Sequence, residues 1–205
     1  MKETVRVTAI VGSYRKGGVI DTAVDEILSA AREAGAETSV IYLRDRHVEF
    51  CTNCRACAQE KGERRGDCPI RDDMAGILTE VERADAIVMA SPVNFGSVTA
   101  VMKRFVERLV CFAYWPWGAM IPKIRNRVKN KRAVVVVSSA APSLLARLHP
   151  GIAGLLKEAA GLLGARTVGE LYIGLAARRP DQGLGGGVGR KARKLGRALA
   201  SASRR

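Results

Sequence analysis

The amino-acid sequence predicts an α/β fold, a doubly wound parallel sheet with helices on both faces. Strand-like and helix-like segments alternate five times along the 205 residues. The strand-like segments are continuously apolar, as in Ala133–Val137 (AVVVV), which is typical of strands that are covered on both faces. The helix-like segments are amphipathic, so they can provide that cover.

The predicted strands are short runs rich in β-branched residues, each bounded by glycine or polar residues. They are Val5–Val11, Thr38–Leu43, Ala86–Ala90, Ala133–Val137 and Thr167–Ile173. The segments between them carry apolar residues at spacings of three and four, which places those residues along one face of a helix.

The predicted helices begin near a residue that can cap an N-terminus. They run from Asp21 or Thr22 to Gly35, from Asp72 to Arg83, from Ser97 to Val110, from Ile152 to Leu163 and from Arg190 to Ser201. The stretch Cys111–Asn130 is predicted to be irregular. We place one domain at residues 1–177, with a long cysteine-rich loop at 44–69. Residues 178–205 are expected to form a basic C-terminal tail that ends in a helix.

The charge of the chain is concentrated in two segments. Thirty-four Lys and Arg against twenty Asp and Glu give a net charge of +14. Residues 121–132 hold six basic residues and no acid, and residues 178–205 hold nine basic residues and one acid. The remainder is neutral, which argues against a nucleic-acid reader. No apolar run reaches the ~18–20 residues of a membrane span, and no signal-peptide pattern opens the chain. We therefore expect a cytoplasmic protein without a membrane span.

Three loops follow predicted strands at the carboxyl edge of the sheet, where open parallel sheets bind ligands. They are Gly12–Gly18, Ser91–Gly96 and Ser138–Ser143. The first precedes a helix N-terminus, which favours an anion. It does not match the nucleoside-triphosphate pattern G-x-x-x-x-G-K-[ST], because Gly18 and Val19 replace the last two residues. Ser13, Arg15 and backbone amides remain, enough for one terminal phosphate. A plain strand-to-helix turn is the alternative.

The second loop, Ser91–Gly96, could present amides and a flat apolar edge to a planar ring. A β-turn with Phe95 packed in the core is the alternative.

Together these motifs resemble the flavodoxin-fold NAD(P)H-dependent FMN reductases, and within them the iron–sulfur flavoproteins. The resemblance rests on Gly12–Gly18, the cysteine-rich loop after the second strand, Asp72-Asp73-Met74 and Ser91–Val98, and it covers Val5 to Leu175. It implies a five-stranded sheet of order 2-1-3-4-5 with FMN at the point where the strand order reverses. At three places the sequence differs from the residues that the family often has. Tyr14 stands in place of proline, Val19-Ile20 in place of Asn-Thr, and Asn94 in place of an aromatic residue.

The resemblance also implies the residues that bind the cofactor. Ser13, Arg15, Gly17 and Gly18 would hold the FMN phosphate. The ring would lie against Ser91, Pro92, Val93, Asn94, Phe95 and Gly96. We add Ser138, from the third loop, to the cofactor-binding residues.

Four cysteines lie within eighteen residues: Cys51, Cys54, Cys57 and Cys68. Three thiolates at C-x2-C-x2-C spacing can close on one metal centre, and Cys68 precedes a proline as the last cysteine of bacterial ferredoxins does. Three states stay open: a 4Fe–4S cluster, a zinc ion, or reduced thiols without metal. Cys111 stands apart and is expected to be a buried core residue.

These features predict an FMN-dependent oxidoreductase that takes electrons from NAD(P)H and passes them to a small acceptor or an iron–sulfur cluster. No side chain is expected to be an indispensable acid or base, because the flavin carries the redox chemistry. The basic run Lys123–Arg132 could bind the phosphates of the nicotinamide cofactor, and a solvated surface is the alternative. We also expect a homo-oligomer, a dimer or a tetramer. The alternative function is a non-enzymatic electron carrier or redox sensor.

Overall fold

The computed structural model describes residues 4–144, 150–179 and 182–201, and within these ranges it confirms the α/β architecture. One sheet contains the strands β1 (Arg6–Val11), β2 (Glu37–Tyr42), β3 (Ala86–Pro92), β6 (Lys131–Ser138) and β7 (Ala165–Ile173). They are parallel in the order β2-β1-β3-β6-β7, which is the predicted order 2-1-3-4-5. A small antiparallel pair, β4 (Ala113–Tyr114) with β5 (Lys123–Ile124), occupies part of the stretch that was predicted to be irregular.

The helices cover both faces of this sheet. They are α1 (Val19–Glu33), α2 (Met74–Arg83), α3 (Ala100–Arg108), α4 (Pro150–Leu162) and α5 (Gly186–Ala200). Short 3-10 turns occur at Leu43–Asp45, Ala56–Ala58 and Leu109–Phe112. No helix within the described ranges combines the length and the apolar character that a membrane crossing requires.

Helix α1 begins at Val19, two residues before the earliest cap predicted from the sequence. Gly18 occupies the N-cap without a side-chain hydrogen bond. The carboxylate of Asp21, in the first helical turn, instead accepts a hydrogen bond from the amide of Gly17 at 3.0 Å. The helix ends at Glu33, just before the predicted stop at Gly35, which adopts a φ of 88° and donates to Arg32 O. This left-handed residue is typical of a helix C-terminus that glycine closes.

Helix α3 begins three residues later than predicted. Its N-cap is Thr99, whose hydroxyl accepts from the amide of Met102 at 3.3 Å. The same hydroxyl donates to the carbonyl of Gly12. Gly12 lies so close to α3 that a Cβ there would be 2.6 Å from Cβ of Met102. A side chain at position 12 would therefore push the first loop away from α3.

Two apolar cores lie on opposite faces of the sheet. Alternate residues of β1 divide between them: Ile10 packs with α2, α3 and α4, whereas Val11 packs with α1 and α5. In β6, Val135 and Val136 divide in the same way. This division explains why the strand segments are apolar throughout.

Helix α5 packs on the domain, contrary to the expectation of a tail at 178–205. Leu199 is fully buried and Leu195 is nearly so, both in the core that α1 covers. Gly196 allows a close helix crossing, since a Cβ there would lie 2.0 Å from the carbonyl oxygen of Ile27. Arg193 pairs with Glu26 and Glu33 of α1. The many basic residues of α5 made its short apolar stripe hard to recognise in the sequence. That stripe covers this face of the sheet.

Candidate functional site

A cleft of about 260 Å³ opens at the carboxyl edge of the sheet, beside the ends of β1, β3, β6 and β7. It is lined by Ser13, Tyr14, Arg15, Gly18, Val19, Ile20, Pro92, Val93, Asn94, Ser138, Ser139, Ala140, Ala176 and Ala177. The structure thus brings together residues from all three loops that the sequence placed at this edge. Ala176 and Ala177, which follow β7, also line the cleft and were not predicted. Because β7 lies next to β6, the predicted strand order could have suggested them.

The first loop forms the anion-binding end of this cleft. The hydroxyl of Ser13 is buried and accepts from the amide of Arg15 at 3.3 Å, while the Arg15 side chain is exposed. The first amides of α1 have no partners within the helix, and no side chain caps them. A cation and uncapped amides at a helix N-terminus are the donors that a phosphate group requires.

Two further residues shape this loop. Gly17 has a φ of 67° but does not line the cleft. Tyr14, which stands where the resembling family often has proline, accepts a hydrogen bond from the amide of Val101 at 3.3 Å. The loop is therefore tied to the N-terminus of α3.

The second loop contributes only part of its predicted set to the cleft. Pro92, Val93 and Asn94 line it. Ser91 is fully buried and structural, since its hydroxyl donates to Pro92 O at 2.9 Å and accepts from the amide of Thr99 at 3.2 Å. The amide of Val93 donates to Ser138 O at 2.7 Å, which joins the second loop to the third.

Phe95 and Gly96 form the tip of a tight turn between Asn94 and Ser97. Both have positive φ, 47° and 75°, and neither lines the cleft. The alternative that Phe95 packs in the core is wrong, because its side chain is fully exposed. The turn projects this ring into solvent beside the cleft.

No residue of the basic run Lys123–Arg132 lines the cleft, and its contact with the phosphates of a nicotinamide cofactor stays a prediction. Lys131 and Arg132 begin β6, whereas Ser138 ends it, so the length of the strand places them about 20–23 Å from Ser138. Lys131 donates to Glu82 O and Val81 O at the C-terminus of α2. Arg132 donates to Ala198 O at 3.0 Å, near the C-terminus of α5. These cations cap helix C-termini, where they complement the dipole.

Arg125, from the same basic run, anchors the cysteine-rich loop. Its guanidinium donates to Cys57 O at 3.0 Å and to Cys111 O at 3.1 Å. Arg55, between Cys54 and Cys57, packs its guanidinium 3.5 Å from the ring centre of Trp115. The cysteine loop is therefore held against the β4–β5 pair by contacts that are distant in sequence.

The C-terminal end of the cysteine loop is fixed by a buried ion pair. Arg108 of α3 contacts Asp72 at 2.6 Å, with side-chain exposures of 3% and 0%. The guanidinium also lies 3.5 Å from Sγ of Cys68 and donates to Glu49 O at 3.0 Å. Burial alone would raise the pKa of Asp72, but hydrogen bonds from Arg108, Glu49 and Met74 outweigh it and hold that pKa below its usual value.

The four cysteines share one neighbourhood but do not form a metal site as they stand. Burial raises the pKa of the Cys57 thiol, and the nearby Cys68, Cys51 and Cys54 raise it further. Even so, within the described ranges no group of three or more His, Cys, Asp or Glu side chains is arranged to hold a metal ion. The side chains therefore do not fit a cluster without rearrangement. Cys111 is buried, as predicted, and burial raises its pKa to about 12.

Solved structures share the fold at low sequence identity. An azoreductase from Bacillus anthracis superimposes with a TM-score of 0.65 at 12% identity, over 96% of this chain and 99% of that chain. An NAD(P)H:quinone oxidoreductase from Methanothermobacter marburgensis gives a TM-score of 0.61 at 18% identity, over 97% and 98%. At these identities the likeness establishes the fold alone.

Curated relatives are closer in sequence. An iron-sulfur flavoprotein of Methanocaldococcus jannaschii is 39% identical over 104 residues, 51% of each chain. An iron-sulfur flavoprotein of Archaeoglobus fulgidus is 32% identical over 112 residues, 55% of this chain and 49% of the relative. The match thus spans about half the length of these relatives. The family model described as NADPH-dependent FMN reductase matches residues 5–176, most of the domain. The chain belongs to the NADPH-dependent FMN reductase family.

Proposed function

We propose that this protein is an FMN-dependent oxidoreductase that takes electrons from NAD(P)H and passes them to a small acceptor. The observation that carries the proposal is the cleft at the carboxyl edge of the sheet, where an uncapped helix N-terminus faces two further loops. Membership of the NADPH-dependent FMN reductase family supports the choice of cofactor and donor. Bound FMN would supply hydride acceptance and electron release.

The residues of the first loop would bind the FMN phosphate. The Arg15 guanidinium, the Ser13 hydroxyl and the first amides of α1 are the donors at this end of the cleft. The phosphate would therefore rest on the backbone amides, on Arg15 and on the Ser13 hydroxyl.

The ring would lie where the second and third loops meet. Pro92, Val93 and Asn94 form one wall of this part of the cleft. Ser138 lies beside them, because its carbonyl oxygen accepts a hydrogen bond from the amide of Val93. Ala140 and Ala176 add small apolar side chains that leave room for a flat ring. Ser91, Gly17 and Gly96 would act by shaping the loops rather than by contact. Phe95 would lie at the edge of the cleft, where a second planar substrate could approach.

Replacing Arg15 with alanine should weaken FMN binding by roughly 10- to 100-fold, because a charge-assisted hydrogen bond to the phosphate is lost. Riboflavin, which has no phosphate, should lose little. Flavin fluorescence titration measures both affinities. The control is Lys129→Ala, an exposed cation of the basic run. Equal losses of FMN and riboflavin in Arg15→Ala would refute the phosphate assignment.

We further propose that the cysteine loop takes up a 4Fe–4S cluster once its side chains rearrange. Three thiols close enough to raise the pKa of the fourth, Cys57, support this, as does the name iron-sulfur flavoprotein that curated relatives carry. Asn53 and Arg55 adopt positive φ, 54° and 56°, which bends the backbone between successive cysteines.

Protein purified without oxygen should contain about four iron and about four acid-labile sulfide per chain if this is correct. Cys54→Ser should abolish both, whereas the buried Cys111→Ala should leave both unchanged. Elemental analysis and sulfide assay measure the content. One zinc per chain would identify the zinc alternative, and no metal and no sulfide would leave four reduced thiols.

A homo-oligomer is also proposed, because large apolar side chains are exposed on the segment that carries β5. Trp117, Met120 and Ile121 are 65%, 95% and 70% exposed. Exposed apolar groups of this size, close together in sequence, are typical of protein interfaces. A second copy of the chain is the partner we expect to cover them.

A further inference from the structure

Arg44 is a buried arginine at the end of β2 that the sequence motifs did not single out. It lies in the 3-10 turn Leu43–Asp45, and its side chain is only 10% exposed. Its guanidinium forms two hydrogen bonds to Asp21, Nη2 to Oδ2 at 2.9 Å and Nη1 to Oδ1 at 3.2 Å. It also stacks 4.2 Å from the ring centre of Tyr42. Such a two-pronged contact fixes both partners in orientation.

The same guanidinium bonds to the backbone of the first loop. Nη1 of Arg44 donates to Ser13 O at 3.0 Å and to Arg15 O at 3.3 Å. Asp21 in turn accepts from the amide of Gly17 at 3.0 Å. The pair Arg44–Asp21 therefore holds the loop at both ends, through Ser13 and Arg15 on one side and Gly17 on the other.

The pair also sets the charge next to the anion-binding end of the cleft. Asp21 lies in the first turn of α1, and its side chain is 5% exposed. The helix dipole stabilises a carboxylate at this position, but the carboxylate repels a bound phosphate. Arg44 neutralises it. The carbonyl oxygens of Ser13 and Arg15 accept from Arg44, so the guanidinium also offsets the partial negative charge of these two oxygens.

We propose that Arg44 and Asp21 are positioning residues that set the preference of the cleft for a flavin with a terminal phosphate over the same flavin without one. This inference rests on the proposed function. This role can be distinguished from a purely structural one. The two residues carry opposite charges, so removing each charge should shift the preference for FMN over riboflavin in opposite directions.

The test is the ratio of riboflavin Kd to FMN Kd in the full-length protein. Arg44→Met leaves the Asp21 charge uncompensated and frees the loop carbonyls, so the preference for FMN should fall by about tenfold. Asp21→Asn keeps an acceptor for Gly17 and leaves Arg44 with only its longer contact to Asp45, 3.7 Å from Nε to Oδ2. The loop therefore gains net positive charge, and the preference should rise severalfold, more at low salt. The double variant should fall between the two.

A fall of the ratio in both single variants, or no change in either, would overturn the inference. Should Arg44→Met not fold, the sign of the change in Asp21→Asn decides alone: a rise supports the inference and anything else overturns it. Wild-type protein that does not bind FMN would refute the proposed function itself. Wild-type binding with an unaltered ratio in the variants would refute the positioning role only.

Discussion

A chain that ends at Gln182 should fail to fold, because the segment that it lacks contains α5. Burial of a leucine side chain contributes about 1.5–3 kcal/mol, and α5 buries Leu195 and Leu199 together with Ala192. Its removal would also uncover Ile27 of α1, which is fully buried. Against a typical total stability of about 5–15 kcal/mol, this loss is disabling. Solubility and the circular dichroism melting curve report the outcome.

Point variants separate packing from charge in this helix. Leu199→Ala should lower the free energy of unfolding by about 2–5 kcal/mol, whereas exposed Lys194→Ala should change it by less than about 0.5 kcal/mol. Urea unfolding measures both. A truncated chain that is soluble, melts cooperatively and binds FMN as the full chain does would show that the domain does not need α5.

Arg108→Met should destabilise the protein by about 3–5 kcal/mol at pH 7, because it leaves the Asp72 carboxylate buried without its partner. It should also loosen the end of the cysteine loop, since Arg108 contacts Glu49 O and Cys68. The matched control is Lys103→Met, which removes an exposed pair with Glu107 on the same helix and should cost less than about 1 kcal/mol.

The cost of Arg108→Met should depend on pH in a defined direction. The pKa of Asp72 is lower in the folded protein than its usual value of about 3.9, so the pair stabilises the fold above that pH. This stabilisation is lost as the pH falls through the folded pKa. Urea unfolding at pH 7 and at about pH 3 should therefore give a smaller difference between wild type and variant in acid. A difference that grows in acid would contradict the assigned charge state.

The strands and the loops at their carboxyl ends could be predicted because local patterns determine them. The continuous apolar runs indicated strands that are covered on both faces of the sheet. The three loops that follow these strands meet at one cleft, as expected from the parallel order. Contacts between distant residues could not be predicted in this way. Arg44 reaches Asp21 across 23 positions, and Arg125 reaches Cys57 across 68. In α5, Leu195 and Leu199 are spaced to lie on one buried face, but the surrounding basic residues made the segment resemble a solvated tail.

The two residues that end the basic run lie away from the cleft, for a geometric reason. A residue that begins a parallel strand lies at the amino edge of the sheet, opposite the ligand edge. Lys131 and Arg132 begin β6, so their charges serve the C-termini of α2 and α5. Both residues precede the apolar run Ala133–Val137, so the sequence alone already places these two charges away from the ligand edge.

The central claim is that the protein passes electrons from NAD(P)H to bound FMN, and anaerobic stopped-flow absorbance tests it most directly. Protein loaded with FMN is mixed with NADPH or with NADH, and bleaching of the visible flavin band is followed over time. The account predicts complete reduction by at least one of the two at roughly 1 s⁻¹ or faster, the range of ordinary enzyme turnover. Reduction by dithionite but by neither nicotinamide would contradict it and would leave the protein as an electron carrier or redox sensor.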